Sequence, residues 1–74
     1  MQLVGKPDCH LCDEARRIIA AVCADLGEPW SELSIFDDPA LADQFWELIP
    51  VTLVDGRVLA TWTIDEAALR VALT

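Results

Sequence analysis

Two cysteines three residues apart, Cys9 and Cys12, are the residues of this sequence whose type and spacing could do chemistry. They follow a short apolar run, residues 2–4, and precede a helical pattern from Asp13 to Leu26. If Cys9 stands at the start of that helix, the two cysteines share one turn. Their Cα atoms then lie about 5–6 Å apart, within the range that a disulfide requires. A C-x-x-C beside a β-α-β pattern is typical of a redox motif that moves electrons between its two sulfurs.

Two other interpretations of the pair stay open: unreactive cysteines and a metal site. A zinc site needs four ligands, and the only further candidates are His10 and Cys23. Cys23 lies eleven residues beyond Cys12. That is about 16 Å along a continuous helix, too far for a shared metal or disulfide. We therefore expect no metal, and we interpret Cys23 as a small buried hydrophobe, with a regulatory role as the alternative.

The composition predicts one small, soluble domain that spans residues 1–74. The chain is 54% hydrophobic, which favours a packed core over disorder. No apolar stretch approaches the ~20 residues that cross a bilayer, so we expect no membrane partner. We find no signal-peptide pattern, and three cysteines are too few, and odd in number, for a secreted disulfide scaffold. We therefore expect a cytoplasmic protein.

The net charge of −8 is unevenly distributed along the sequence. Residues 1–20 carry three basic and three acidic side chains, so all of the excess acid lies in residues 21–74. The five basic residues form no stripe that could neutralise phosphates, which argues against a nucleic-acid partner. The acidity favours solubility and the repulsion of acidic partners. We also expect the protein to be a monomer.

The spacing of apolar residues predicts the elements that must position the cysteines. A strand is expected over Gln2–Gly5, and the first helix is expected to end at Gly27, where glycine suits a left-handed cap. A second helix is expected to begin at Asp38 and run to about Glu47, because aspartate caps the exposed amides and the following proline presets φ. A second strand between the helices is marked by Leu33, Ile35 and Phe36.

The last third of the chain predicts a hairpin and a third helix. Residues 51–54 and 57–60 flank Asp55-Gly56, the strongest short-range hairpin signal in a sequence. Thr63 and Glu66 form a capping box that opens a helix through Leu73. The resulting order is β-α-β-α-β-β-α, an α/β fold with a four-stranded mixed sheet and helices on both faces. The three tryptophans are expected mostly in the core or as partial cover: Trp30, Trp46 and Trp62.

Three segments carry a resemblance to a known family. They are residues 5–15, which contain the cysteine pair, residues 36–41, and the Ile-Pro-Val of residues 49–51 with Asp55-Gly56. On these segments the chain resembles the glutaredoxin-like group of thioredoxin-fold proteins. More narrowly, it resembles a family of short glutaredoxin-like proteins long catalogued as a domain of unknown function.

The resemblance implies roles for particular residues. Cys9 matches the nucleophilic cysteine and Cys12 the resolving cysteine. Pro50 matches the proline that follows a cis peptide bond and faces the pair, which leaves the backbone of Ile49 open to an extended substrate. Lys6 matches a basic position that in glutaredoxins helps to hold the glutathione carboxylate.

The sequence also departs from the glutaredoxin pattern. Glutaredoxins usually have proline and an aromatic residue between the cysteines, where this chain has His10 and Leu11. A Gly-Gly turn that lets glutathione approach the backbone is replaced by residues 60–63, which include Trp62. Glutathione as the specific thiol therefore does not follow. We assign substrate binding to Lys6, His10, Leu11, Ile49, Pro50 and Trp62.

Only a thiolate attacks a disulfide, so the pKa of Cys9 matters. The helix N-terminus supplies roughly half a positive charge, which lowers that pKa from about 8.5. Lys6 and a protonated His10 could add to this effect, and Asp8 and Asp13 oppose it, so we expect a moderately lowered pKa. His10 either tunes the Cys9 thiolate in this way or faces solvent. Cys9 is expected to be exposed, and the second cysteine to turn inward.

The sequence predicts a small cytoplasmic thiol–disulfide oxidoreductase that serves cell redox homeostasis. Its substrate would be a disulfide-containing protein or a small thiol compound. No cofactor is expected to be bound, and a low-molecular-weight thiol such as glutathione, or a reductase, would recycle the dithiol. The alternative is a non-enzymatic thioredoxin-fold module that binds a partner, or senses redox state, with the groove at Ile49 and Pro50.

Overall fold

A computed structural model describes all residues, 1–74, and confirms the predicted order of elements. The elements are β1 (Gln2–Gly5), α1 (His10–Leu26), β2 (Ser31–Ser34), α2 (Pro39–Phe45), β3 (Val51–Val54), β4 (Arg57–Thr61) and α3 (Glu66–Leu73).

The four strands form one mixed sheet in the order β2-β1-β3-β4. β1 pairs in parallel with β2 and antiparallel with β3, and the β3–β4 hairpin is antiparallel. Successive side chains of a strand point to opposite faces, so Leu3 packs in a core with α1 and α3, while Val4 packs in a second core with α2. The sheet is therefore covered on both faces, and β1 lies at its centre, leading directly to the cysteines.

Helix α1 begins where the cysteine pair begins. Cys9 is the N-cap, in extended backbone conformation, and its Sγ accepts a hydrogen bond from the Cys12 N–H at 3.2 Å. Gly27 ends the helix with a φ of 65°, and the Glu28 N–H donates to the Cys23 carbonyl oxygen at 2.9 Å. The left-handed glycine cap that the sequence predicts is confirmed.

The prediction for the second strand is wrong in its position. Only Leu33 of the three marker residues lies in β2, and Phe36 is 74% exposed in the turn that follows. The strand is defined instead by its pairing with β1, which starts at Ser31 and ends at Ser34. Asp37 then turns the chain, because its carboxylate accepts the Ser34 N–H at 2.8 Å. β2 is an edge strand with one side in water, so it tolerates polar residues. A search of the sequence for apolar runs therefore does not detect it.

The limits of two helices also differ from the prediction. Helix α2 starts after Asp38 as expected but ends at Phe45, since the chain turns there and the Leu48 N–H donates to the Phe45 carbonyl oxygen at 2.7 Å. Helix α3 is capped by Asp65, which accepts the Ala67 N–H at 3.0 Å, so the predicted Thr63 capping box is wrong. Aspartate immediately before the helix is a stronger cap than a threonine two residues earlier.

The tryptophans are more exposed than the sequence predicts. Trp30 is half-buried against the core between the sheet and α1, but Trp46 is 62% exposed and Trp62 is 54% exposed. Both exposed rings lie where the chain leaves a regular element, Trp46 after α2 and Trp62 after β4. They therefore add apolar area to the surface. No helix combines the length and the apolar character that crossing a membrane requires.

Candidate functional site

The cysteine pair forms a disulfide at the N-terminus of α1. The Cα atoms of Cys9 and Cys12 are 5.1 Å apart, as the i, i+3 spacing on one helical turn predicts. Cys12 is fully buried, while Cys9 is partly exposed at the helix cap. The two sulfurs therefore differ in access, and only Cys9 is placed to meet a reactant from solvent.

Gly5, at the end of β1, allows the helix start to approach the sheet. A Cβ atom on Gly5 would lie 3.0 Å from the Cys12 Sγ and 3.3 Å from its Cβ, closer than ordinary packing tolerates. Sequence reasoning missed this contact, because the glycine was interpreted only as the end of a strand. The glycine gives the Cys12 side chain the room to lie against the sheet.

Ile49 and Pro50 lie on the sheet side of the cysteine pair. The pairing of β1 with β3 places Val51 opposite Val4, so Pro50 lies next to Gly5, which contacts Cys12. The Ile49–Pro50 peptide bond is cis. Pro50 is buried, and Ile49 is half-buried against the core that contains Val4 and Val51.

Trp62 is fixed in place at the end of β4. Its backbone N–H donates to the carbonyl oxygens of Pro50 (2.9 Å) and Leu48 (3.3 Å), and its indole Nε1–H donates to that of Glu47 at 3.0 Å. Its φ of 64° is rare for a bulky residue and turns the chain sharply out of the sheet. A small cavity of about 40 Å³ joins the ring to Leu11, between the two cysteines. The structure thus brings Trp62 together with Leu11, the residue that precedes Cys12 in the sequence.

Lys6 and His10 are exposed and make no hydrogen bond or ion pair with the cysteines. Lys6 borders an open groove that runs from the loop after β1 toward β2, with Arg16 and Glu32 on its walls. His10 is the first residue of α1. Of the six residues predicted to bind substrate, Leu11 and Trp62 line one cavity, Ile49 and Pro50 lie in the loop before β3, and Lys6 and His10 are exposed.

Arg16 borders the same groove as Lys6, and its guanidinium already pairs with carboxylates of the protein. Its guanidinium donates to both carboxylate oxygens of Glu32 at 2.7 and 2.6 Å, and to Asp13 at 2.7 Å. The hydrogen bonds to Glu32 and then to Asp13 raise the pKa of Arg16 above its already high ordinary value. No local pattern reveals the contact with Glu32, since it joins α1 to β2 across sixteen residues.

Cys23 lies apart from the site, as the helix geometry predicts. It is 2% exposed in the core with Leu3, Ile19 and Leu69, and its sulfur lies 3.7 Å from that of Met1. Burial, with a smaller contribution from Glu28, raises the pKa of the Cys23 thiol above its ordinary value.

In the reduced native protein at pH 8, Cys23 is therefore expected to resist alkylation. The buried thiol stays protonated at this pH, because its pKa is raised above the ordinary value for cysteine and only the thiolate reacts. Mass spectrometry after brief treatment with iodoacetamide should find label on Cys9 ahead of Cys23, and on all three cysteines once the protein is denatured. Rapid native labelling of Cys23 would show that the core around it is open.

Comparisons with known proteins agree with this geometry. The model of the family described as Glutaredoxin-like domain (DUF836) matches residues 1–74. Uncharacterized proteins of Mycobacterium bovis and Mycobacterium tuberculosis are each 27% identical over 75 aligned residues, which cover 95% of this chain and 77% of theirs. The X-ray structure of a structural-genomics target protein from X. campestris has a TM-score of 0.77 and 34% identity. That match covers 97% of this chain and 92% of the other. The fold is that of the thioredoxin-like proteins, and the chain belongs to the glutaredoxin-like domain family.

Proposed function

We propose that this protein is a small thiol–disulfide oxidoreductase that reduces disulfides through Cys9 and Cys12. The observation that carries the proposal is the pairing of these sulfurs as a disulfide at a helix N-terminus, with one sulfur accessible and the other buried. The membership of a glutaredoxin-like family supports the same chemistry. We further propose that residues 1–74 act as one domain, as a monomer in the cytoplasm.

The reduced protein acts in two exchange steps. The Cys9 thiolate attacks one sulfur of a substrate disulfide, so that a Cys9–substrate bond forms, the substrate bond breaks, and the released thiolate takes up a proton. Cys12 then loses its proton and attacks the Cys9 sulfur, which releases the second substrate thiol and leaves the Cys9–Cys12 disulfide. Two electrons pass from the dithiol to the substrate, and the two protons that Cys9 and Cys12 release on becoming thiolates equal the two that the substrate thiolates take up.

The start of α1 favours the thiolate form of Cys9. The Cys12 N–H points at the Cys9 sulfur at 3.2 Å, and the N-terminal end of a helix carries roughly half a positive charge. Both stabilise a negative charge on this sulfur, which favours the thiolate over the thiol. Neither effect reaches Cys23, whose thiol is held protonated by burial.

The oxidised protein must be reduced again before another turnover. We propose that a low-molecular-weight thiol, glutathione or an equivalent, or a reductase supplies these electrons, and that no cofactor or metal is bound. Cys23, the third cysteine, takes no part in the cycle, because its sulfur lies in the core and not at the helix start.

A Cys12→Ser variant tests the proposal. Without the resolving thiol, the variant is expected to stop after the first step and to accumulate a mixed disulfide between Cys9 and the substrate. Intact-mass analysis after incubation with a disulfide peptide would detect one covalently bound peptide per chain. A Cys23→Ala variant is the matched control and should turn over without trapping.

The outcomes also separate the oxidoreductase from a non-enzymatic binding module. If the groove at Ile49 and Pro50 serves only to hold a partner, Cys12→Ser should trap nothing, and its partner affinity should equal that of the native protein. A variant that binds disulfide peptide without forming a covalent bond would overturn the oxidoreductase proposal.

A further inference from the structure

The surface beside Cys9 carries an apolar feature that disulfide exchange itself does not need. Leu11 is 41% exposed and Trp62 is 54% exposed, and the two residues line the same small cavity. Leu11 stands between the two cysteines in the first turn of α1. We call this pair, Leu11 and Trp62, the apolar lip. Covering large apolar groups on a surface with an apolar partner is favourable, because it removes apolar area from water.

The apolar lip is built to keep its shape. The indole of Trp62 is held by a hydrogen bond to the Glu47 carbonyl oxygen, and its backbone is held by bonds to Pro50 and Leu48. Leu11 lies in the first turn of α1, between the two cysteines. A rigid apolar surface loses little conformational freedom when it binds, which favours its use in recognition.

The acidic residues that neighbour the lip in sequence, or through a backbone hydrogen bond, are mostly free of ion pairs. Asp8 precedes Cys9, Glu47 holds the Trp62 indole through its backbone, and Asp65 caps α3 three residues after Trp62, and none of the three forms an ion pair. Glu14, which also lines the cavity, has only a loose partner in Arg17 at 3.5 Å.

Most basic side chains near the site already form ion pairs within the protein. Arg16 is held by Glu32 and Asp13 at 2.6 and 2.7 Å, so its guanidinium is committed to carboxylates of the protein itself. Lys6 is the one lysine or arginine of this end of the molecule without an ion pair. A ligand with several carboxylates would thus meet one free ammonium group and three unpaired acids.

Glutathione disulfide is such a ligand. Each of its halves has two carboxylates and one ammonium group, so the molecule is an anion at neutral pH. A negatively charged surface slows the approach of an anion and speeds that of a cation. The apolar lip would also stay uncovered by the polar tripeptide.

We propose that the preferred substrate is a disulfide in a basic protein segment that has an apolar side chain next to its cysteine. The apolar side chain covers Leu11 and Trp62, and basic side chains meet Asp8, Glu47 and Asp65. The inference rests on the proposed oxidoreductase function and names the substrate class of the same site.

A set of matched disulfides tests the substrate class. Three short peptides, each with one disulfide, differ only at chosen flanking positions: leucine with lysines, leucine with glutamates, and serine with lysines. Glutathione disulfide is the fourth substrate. At low ionic strength, stoichiometric reduced protein is expected to reduce the leucine–lysine peptide about tenfold faster than the leucine–glutamate peptide, and the difference should shrink as salt is added.

Two pairs of variants locate the preference on the protein. Leu11→Ser should remove the advantage of leucine over serine in the peptide. Leu26→Ser, a leucine of similar exposure at the far end of α1, should leave it unchanged. Glu47→Gln should reduce the preference for lysine, while Glu28→Gln, in the loop after α1, should not.

The results distinguish a failure of the substrate class from a failure of the function. Equal rates for all peptides, or a faster reaction with glutathione disulfide, would overturn the substrate class and leave the oxidoreductase function in place. A reduced protein that exchanges with none of the four substrates would overturn both.

Discussion

Replacement of Cys9 by serine is expected to lower disulfide reduction to the rate seen without the protein, while the fold is retained. A serine hydroxyl does not attack a disulfide, so the first exchange step is lost. The same substitution suits the helix, because serine is a preferred N-cap and can accept the Cys12 N–H that the Cys9 sulfur accepts now. Reduction of a disulfide peptide and urea unfolding, measured on the same reduced preparation, separate the two effects.

The matched control for this prediction is Cys23→Ala. It also removes one thiol, but from a site in the core that is 2% exposed, so it should retain the rate of reduction and lose some stability. If Cys9→Ser still reduced disulfides, Cys12 or Cys23 would have to be the attacking thiol, and the assignment of Cys9 as nucleophile and Cys12 as resolving cysteine would be wrong.

Leu69→Ala is expected to destabilise the protein by about 2–5 kcal/mol, which is a large part of the stability of a small domain. Leu69 is fully buried and packs with Leu3 and Ile19, so it holds α3 against α1 and the sheet. The loop that carries Trp62 connects β4 to this helix. Loss of the contact should therefore loosen one wall of the cysteine site as well as the core.

Chemical denaturation of Leu69→Ala and Val71→Ala measures this effect. Val71 lies two residues further along α3 and is 77% exposed, so its replacement should change the free energy of unfolding by less than about 0.5 kcal/mol. Similar unfolding curves for the two variants would show that α3 does not contribute to the core as the structure describes.

The parts of the fold that local chemistry determines were predictable from the sequence. The turn at Asp55 and Gly56 has φ angles of 53° and 77°, the conformation for which Asp-Gly pairs are selected. The cap at Gly27 and the start of α2 after Asp38 are local in the same sense. The position of β2 was not predictable in this way, since its limits depend on which residues pair with β1.

In the candidate site, too, the features set by local sequence were predictable and those that depend on distant residues were not. The spacing of Cys9 and Cys12 was sufficient to predict a bonded pair at a helix start. Two contacts join residues from different elements and leave no local signal in the sequence. They are the close approach of Gly5 to Cys12 and the ion pair between Arg16 and Glu32. The exposure of Trp62 depends on hydrogen bonds to the loop before β3, so its place on the surface became evident only from the three-dimensional structure.

A single-turnover exchange tests the oxidoreductase function most directly. One equivalent of reduced protein is mixed with one equivalent of a disulfide peptide, the reaction is stopped with acid, and the disulfides of both products are mapped by mass spectrometry. The expected products are the fully reduced peptide and a protein with a Cys9–Cys12 disulfide and a free Cys23. A peptide that remains oxidised while Cys9 and Cys12 remain reduced would contradict the proposed function.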